Sequence, residues 1–203
     1  MNNIIGIVAK KLGHSLSPYI HNYWSKKYNI NLKYQKYEVP EKNLVKFFES
    51  FKKNKKIKGF NVTIPYKTNF INLCDKITPK AKKIGSVNLV YRKNNLIIGD
   101  NTDVIGFEKS FKLLKNNPSY KVLLIGAGGA ARSILYYLNN KKIENIDVFA
   151  TSFKRKKNIC NDFVIKSFVT KTSLLKANYD LIINSSSGGM IGKSPLNRNI
   201  IKL

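Results

Sequence analysis

Residues 120–140, YKVLLIGAGGAARSILYYLNN, constrain the fold more than any other stretch of the chain. An apolar run of the length of one buried strand meets glycines at 126, 128 and 129, and a helical pattern begins at once. Gly126 permits a tight turn, Gly128 lets an anionic group approach the backbone, and small residues at 129–131 let the helix start close to the strand. Gly126, Ala127, Gly128, Gly129 and Ala130 are therefore a candidate cradle for a dinucleotide pyrophosphate, facing the amide groups of a helix N-terminus. The competing reading is an ordinary glycine turn in an α/β domain.

The rest of the second half repeats the alternation. IDVFAT (146–151) reads as the next strand, a third is expected near residues 163–169, and YDLIINS (179–185) is the fourth. Strands separated by helical segments predict a parallel sheet. After the second strand, ATSFKRKK (150–157) holds no acidic residue to accept a ribose 2′-hydroxyl. Thr151, Ser152, Lys154 and Arg155 suit a 2′-phosphate instead, which favours NADP over NAD. A basic helix start is the plain alternative.

The first half mixes short strands and helices. NIIGIVA (3–9), LKYQKYEV (32–39) and KGFNVTI (58–64) read as strands, and SVNLVYR (86–92) and LIIGD (96–100) as a hairpin around Lys93-Asn94-Asn95. One helix is expected from Pro18 to about Tyr28, with Ser17 as its N-cap. A second over 41–53 gathers Leu44, Phe47, Phe48 and Phe51 on one face. A third should run from about Val104 to Lys115, stopped by Asn116-Asn117-Pro118. The domain boundary falls near residues 100–118, and we divide the chain as 1–103 and 104–203.

Charge bears on partners. Lys and Arg number 37 against 11 Asp and Glu, a net charge of +26. Nucleic-acid binding is one reading. The lysines are dispersed, however, and only Arg92, Arg132, Arg155 and Arg198 are arginine, so a compositional origin in Lys-, Asn- and Ile-rich coding is preferred. A basic surface also suits anionic small molecules. No signal peptide or span-length apolar stretch is seen, Cys74 and Cys160 lack metal-like spacing, and His14 and His21 alone cannot build a zinc site. A cytoplasmic, reduced protein without membrane or metal is expected.

Three polar clusters lie in the first half. HSLSP (14–18) sets Ser15 and Ser17 at a strand-to-helix turn, a candidate carboxylate site if it is more than a helix cap. Asn88 lies in SVNLV, and Asp103 ends GDNTD where the chain leaves the hairpin. Taken in order, HSLSPYIHN, GFNVTIPYK, IGSVNLV, GDNTDVIGF, GAGGAAR and INSSSGGMIG resemble the shikimate dehydrogenase family across essentially all 203 residues.

The resemblance implies an α/β chain: an N-terminal α/β substrate domain plus a Rossmann-like parallel-sheet nucleotide domain, truncated at its C-terminal end. It implies reduction of 3-dehydroshikimate to shikimate with NADPH, in the route to aromatic amino acids. By motif match, Lys67 and Asp103 would be the catalytic pair and Ser15 and Ser17 would hold the substrate carboxylate. Asn61, Thr63, Lys67, Asn88 and Asp103 would bind the ring hydroxyls and carbonyl, and residues 126–130 the cofactor. Hydride addition to a ketone leaves negative charge on oxygen, which an ammonium lysine can stabilise and protonate.

The chain departs from the family in three places, one of them Pro79, which stands where the family has an acidic residue after the catalytic lysine. Ala150-Thr151-Ser152 stands where the family usually reads Asn-Arg-Thr. The family also continues with further strands and helices that return to the substrate domain, for which no counterpart is seen before Leu203. An open edge on the fourth strand is then expected. A homodimer is one way to cover it. A remnant that binds without turnover, and an NAD-using quinate/shikimate dehydrogenase, are the alternative readings.

Overall fold

The apolar run at residues 3–9 and the glycine turn at 126 seed two separate sheets. The structure, a computed structural model, describes residues 3–13, 15–111, 117–174 and 177–189. The chain divides into two compact units, Met1–Thr102 and Asp103–Leu203.

The first unit runs β1 (Asn3–Ala9), α1 (Ser17–Lys27), β2 (Leu32–Glu38), α2 (Leu44–Lys53), β3 (Ile57–Val62), β4 (Lys76–Ile77), α3 (Pro79–Ile84), β5 (Leu89–Lys93) and β6 (Leu96–Asp100). The strands form one sheet in the order β2-β1-β3-β5-β6-β4. Only β5 opposes its neighbours; the pairings of β1 with β2 and β3, and of β4 with β6, are parallel. The hairpin turn is tighter than the sequence suggests. Lys93 pairs with Leu96, so the turn holds two residues, and Asn94 and Asn95 both take positive φ, 49° and 64°. Asparagine tolerates that region, and such a turn matches the twist of the flanking strands.

The two faces of this sheet are packed differently. On one, α2 buries Leu44, Phe48 and Phe51 against Val8, Phe60, Phe70 and Val90. The rings meet edge-on, Phe51 to Phe60 at 4.8 Å and Phe60 to Phe70 at 5.5 Å, pairs worth about 0.5–1.5 kcal/mol each beyond their burial. Arg92 closes the end of α2: its guanidinium lies 4.1 Å from the Phe51 ring centre. It donates to the carbonyls of Ile57 at 3.0 Å, Lys52 at 3.3 Å, and Phe51. On the other face Ile7, Ala9, Leu12 and Tyr34 form a smaller core. There α1 is fastened to β2 by Asn22, whose amide donates to Tyr34 O (2.9 Å) and accepts from Tyr34 N (2.8 Å).

The second unit runs α4 (Asp103–Phe111), β7 (Val122–Ile125), α5 (Gly129–Asn140), β8 (Ile146–Phe149), α6 (Phe153–Asp162), β9 (Ser167–Phe168), α7 (Lys171–Leu174) and β10 (Leu181–Asn184). Its four strands among the described residues are parallel, in the order β10-β7-β8-β9. The third expected strand shrinks to two residues at an edge. Among the described residues the fourth lies at the opposite edge, where Ile182 is 45% exposed. The helix expected to reach Lys115 is described only to Phe111, and residues 112–116 lie outside the described set. Asp147, buried on β8, accepts from Ser167 Oγ (2.7 Å) and Tyr179 OH (3.0 Å), tying three segments together. Arg132 of α5 pairs with Asp162 at the end of α6.

Among the described residues no helix is long and apolar enough to cross a membrane, and no group of three or more His, Cys, Asp or Glu could hold a metal. Cys74 and Cys160 are free thiols.

Candidate functional site

Parallel pairing brings one end of the first sheet into register as a row: Ala9, Glu38, Val62, Leu89 and Asp100 close their strands or, for the opposed β5, open it. The candidate substrate residues of this unit gather along that row. Carboxyl ends of parallel strands are where open α/β sheets bind ligands.

Ser15 follows β1 and Ser17 opens α1. The expectation that Ser17 caps α1 is corrected. The helix begins at Ser17 itself, Leu16 is the cap residue with helical φ −84° and ψ −5°, and no side chain caps it. Ser15 Oγ accepts weakly from Ser17 N at 3.4 Å, and the Ser17 side chain turns to the Tyr34 phenol. Both serines are half-buried.

Asn61 is the penultimate residue of β3, and its Oδ1 accepts from Tyr34 OH at 2.9 Å. Its Nδ2 points toward Asn88 O at 3.5 Å. Thr63 follows, with its N–H on Val8 O at 3.0 Å. Lys67 is the second residue of a 3-10 segment, Tyr66–Asn72. That segment is anchored by Tyr66, 1% exposed with its hydroxyl on Val39 O (2.6 Å), and by the Lys67 carbonyl, which accepts from Val87 N (2.7 Å). Lys67 thus rides on a rigid turn although its side chain is only half-buried.

Asn88 is 8% exposed and its amide is gripped by Thr102: Oδ1 accepts from Thr102 N at 2.8 Å, and Nδ2 donates to Thr102 Oγ1 at 3.0 Å. The GDNTD motif divides its labour. Asp100 Oδ1 accepts from Thr78 Oγ1 and Asn101 N, each at 2.7 Å, and pairs with Lys80 at 3.4 Å. Asn101, fully buried, donates to Ser86 O at 2.9 Å. Asp103 follows as the first residue of α4, in the second unit.

Sequence reasoning missed Tyr34, Asn101 and Thr102. The last two sat in a motif already singled out, and the signal was the number of polar side chains in five residues, more than one catalytic role needs. Tyr34 carried no local signal.

In the second unit Gly126 has φ +111°, the conformation that the tight turn required. Its N–H bonds Phe149 O at 2.8 Å, and a Cβ there would lie 2.7 Å from Ser185 Oγ. Gly128 is the N-cap of α5, and a Cβ there would meet nothing within 4 Å. The amide groups of residues 129 and 130 thus begin a helix of 12 residues behind open backbone. Thr151, Lys154 and Arg155 are exposed past the end of β8, and Ser152 Oγ caps α6 by accepting from Arg155 N at 3.4 Å. That bond leaves the Ser152 hydroxyl proton free to donate. These features fit a dinucleotide with a phosphorylated ribose: uncrowded helix-start amides for the pyrophosphate, hydroxyl donors and cations for the 2′-phosphate. INSSSGGMIG runs from described into undescribed residues at 190.

Comparison with known proteins then bears on this geometry. The family profile described as "Shikimate dehydrogenase substrate binding domain" matches residues 7–90, and that described as "Shikimate / quinate 5-dehydrogenase" matches residues 108–195. A shikimate dehydrogenase (NADP(+)) from Clostridium beijerinckii is 38% identical over 203 residues, covering 97% of this chain and 73% of the relative. One from Pelagibacter ubique is 33% identical, with 97% and 74% covered. The crystal structure of shikimate dehydrogenase from Aquifex aeolicus superposes with a TM-score of 0.86 at 31% identity, covering 99% of this chain and 76% of that one.

Proposed function

The chain belongs to the shikimate dehydrogenase family, and from that premise we propose that it interconverts 3-dehydroshikimate and shikimate with NADP(H). The relatives from Clostridium beijerinckii and Pelagibacter ubique carry that NADP(+)-dependent name. The observation that carries the reading is the row of fixed polar groups at the strand ends. Asn61 Oδ1 is filled by the Tyr34 phenol, and the Asn88 amide is fixed at both Oδ1 and Nδ2 by Thr102, so both side chains are held in one orientation along that row. Residues 1–103 then form the substrate-binding and catalytic domain and 104–203 the NADP-binding domain.

In this reading Ser15 and Ser17 hold the substrate carboxylate, and Asn61, Thr63 and Asn88 bind its ring hydroxyls. Lys67 and Asp103 are the catalytic pair. Residues 126–130 receive the pyrophosphate on backbone amides, and Thr151, Ser152, Lys154 and Arg155 receive the 2′-phosphate. The dihydronicotinamide, when bound, supplies the hydride. Lys67 holds an ammonium against the ketone oxygen, stabilises the charge that develops there, and gives up its proton as the hydroxyl forms. Asp103 orients that ammonium and shares a substrate hydroxyl. In the reverse direction Lys67 accepts the proton. Its seat on the Tyr66–Asn72 turn matters because proton transfer demands a fixed donor.

The test is shikimate-dependent reduction of NADP⁺ by purified protein, followed by nicotinamide absorbance. Lys67→Ala is expected to lower kcat by about 10²- to 10⁴-fold while KM for shikimate stays close to wild type. Normal turnover in Lys67→Ala would remove Lys67 as proton donor. Binding of NADP⁺ and shikimate without any turnover in the wild type would favour a non-catalytic descendant of the enzyme. A preference for NAD⁺ would overturn the 2′-phosphate role given to Thr151, Ser152, Lys154 and Arg155. We further assign the protein to the cytoplasm, in keeping with its two free thiols, and propose a homodimer, to be checked by light scattering.

A further inference from the structure

Tyr34 belongs to none of the motifs that mark the site, yet it is firmly held, and from the first half of β2 its side chain reaches toward the row of strand ends. It is 2% exposed. Its backbone is clamped at both N and O by the Asn22 amide, and its ring stacks on His21 with centroids 4.4 Å apart and planes 4° from parallel. The hydroxyl is the one polar tip of this side chain, and it donates to Asn61 Oδ1 at 2.9 Å. Parallel pairing aligns Tyr34 with Ile5 and Asn61 with Ile7, so the phenol reaches diagonally across β1 on the face that α1 covers.

That contact decides what Asn61 can offer a ligand. An amide has one acceptor oxygen and one NH₂. Asn88 O, a pure acceptor already bonded by Val62 N at 2.8 Å, lies on the Nδ2 side of Asn61 at 3.5 Å. The phenol proton lies on the Oδ1 side. Both neighbours favour the same orientation, and a flipped amide would set Oδ1 against the Asn88 carbonyl. Burial pushes the Tyr34 phenol up to about 12, with Ser17 offsetting part of the rise, so it remains a proton-bearing donor through the neutral range.

We infer that Tyr34 is a positioning residue for substrate recognition: by filling Asn61 Oδ1 it keeps the Asn61 NH₂ on the Asn88 side, one N–H toward Asn88 O and the other as a fixed donor to a ring hydroxyl of the substrate. The inference rests on the assignment of Asn61 to the substrate site. Because the phenol also neighbours Ser17, one side chain adjoins both the carboxylate-holding and the hydroxyl-holding groups.

Tyr34→Phe removes the donor and keeps the ring stacked on His21. It is expected to raise KM for shikimate about three- to tenfold, the worth of one neutral hydrogen bond, with kcat within about twofold and KM for NADP⁺ unchanged. In an Asn61→Ala background the same change should add less than about 1.5-fold, because Tyr34 acts through Asn61. Equal effects in both backgrounds, or an unchanged KM in Tyr34→Phe, overturn the inference. Should Tyr34→Phe fail to fold, Asn61→Asp tests the same point: it keeps an acceptor facing the phenol, loses the donor to the ring hydroxyl, and must raise KM by at least as much. If the wild type binds shikimate without turning it over, the same cycle is read from calorimetric Kd values and the same outcomes decide. A wild type that neither oxidises nor binds shikimate removes the parent reading, whereas equal binding by wild type and Tyr34→Phe removes this inference alone.

Discussion

Gly126 and Gly128 stand two residues apart in one loop, and the structure assigns them opposite kinds of importance. Alanine at 126 must adopt φ +111°, a region that side chains other than glycine occupy at a cost of about 1–3 kcal/mol. Its methyl would also lie 2.7 Å from Ser185 Oγ and 3.1 Å from Ser186 N. The first atom cannot swing away freely, because it donates to Ile125 O at 2.7 Å, and losing that bond costs about 0.5–1.5 kcal/mol. Gly126→Ala is therefore expected to destabilise the protein by about 2–4 kcal/mol. Alanine at 128 keeps an accessible backbone, φ −91° and ψ −169°, and its methyl meets nothing within 4 Å. It weakens an N-cap slightly and gains from a less flexible unfolded chain, leaving about 1 kcal/mol or less. Its penalty should appear on binding, where a methyl stands between the helix amides and the pyrophosphate, and we expect NADP⁺ affinity to fall about tenfold or more. Urea unfolding followed by circular dichroism and NADP⁺ titration calorimetry separate the two effects. Gly128→Ala proving the less stable variant, or Gly126→Ala staying within about 0.5 kcal/mol of wild type, would refute the reasoning.

Two further outcomes follow from the same structure. Arg92→Lys should cost about 1–3 kcal/mol in urea unfolding, because an ammonium cannot both stack on Phe51 and serve the carbonyls of Ile57 and Lys52; wild-type stability would show that the α2 end needs no guanidinium. Alkaline pH should destabilise the fold in two stages. Burial, then Asp75, pushes the Cys74 thiol up to about 12 from 9.0. Burial pushes the Tyr34 phenol to about 12 from 10.0, and burial followed by the bond to Asp147 does the same for Tyr179. In each case the unfolded chain loses its proton first. Stability present below pH 9 is thus expected to fall from pH 9 and more steeply from 10, until the folded groups ionise near 12. A urea midpoint that is flat between pH 9 and 12, or phenolate absorbance showing Tyr34 and Tyr179 titrating near 10, would contradict this.

What could be read from the sequence was local. The run VLLI, the turn at Gly126 and the helix from Gly129 follow one another along the chain, so one window contains their cause. The apolar face of α2 is legible for the same reason, since Leu44, Phe48 and Phe51 recur at helical spacing. Ser17 was misread because capping is a local rule, whereas its side chain answers to a tyrosine 17 positions away on another strand. Tyr34 and Tyr37 look alike within LKYQKYEV. Strand alternation sets them on opposite faces, but only the packing of β2 against its neighbours decides which is which, setting Tyr34 under α1 beside Asn61 and Tyr37 against Phe47 on the α2 side. The same holds inside GDNTD, where Asp100, Asn101 and Thr102 each have a described partner in another segment: Thr78, Ser86 and Asn88. Motif spelling therefore marks where a site lies, while the division between side chains that meet a ligand and side chains that hold them is fixed by contacts distant in sequence. A substitution at Thr102 should accordingly behave like one at Asn88 rather than like one at Asp103, because its hydroxyl and N–H are both committed to the Asn88 amide.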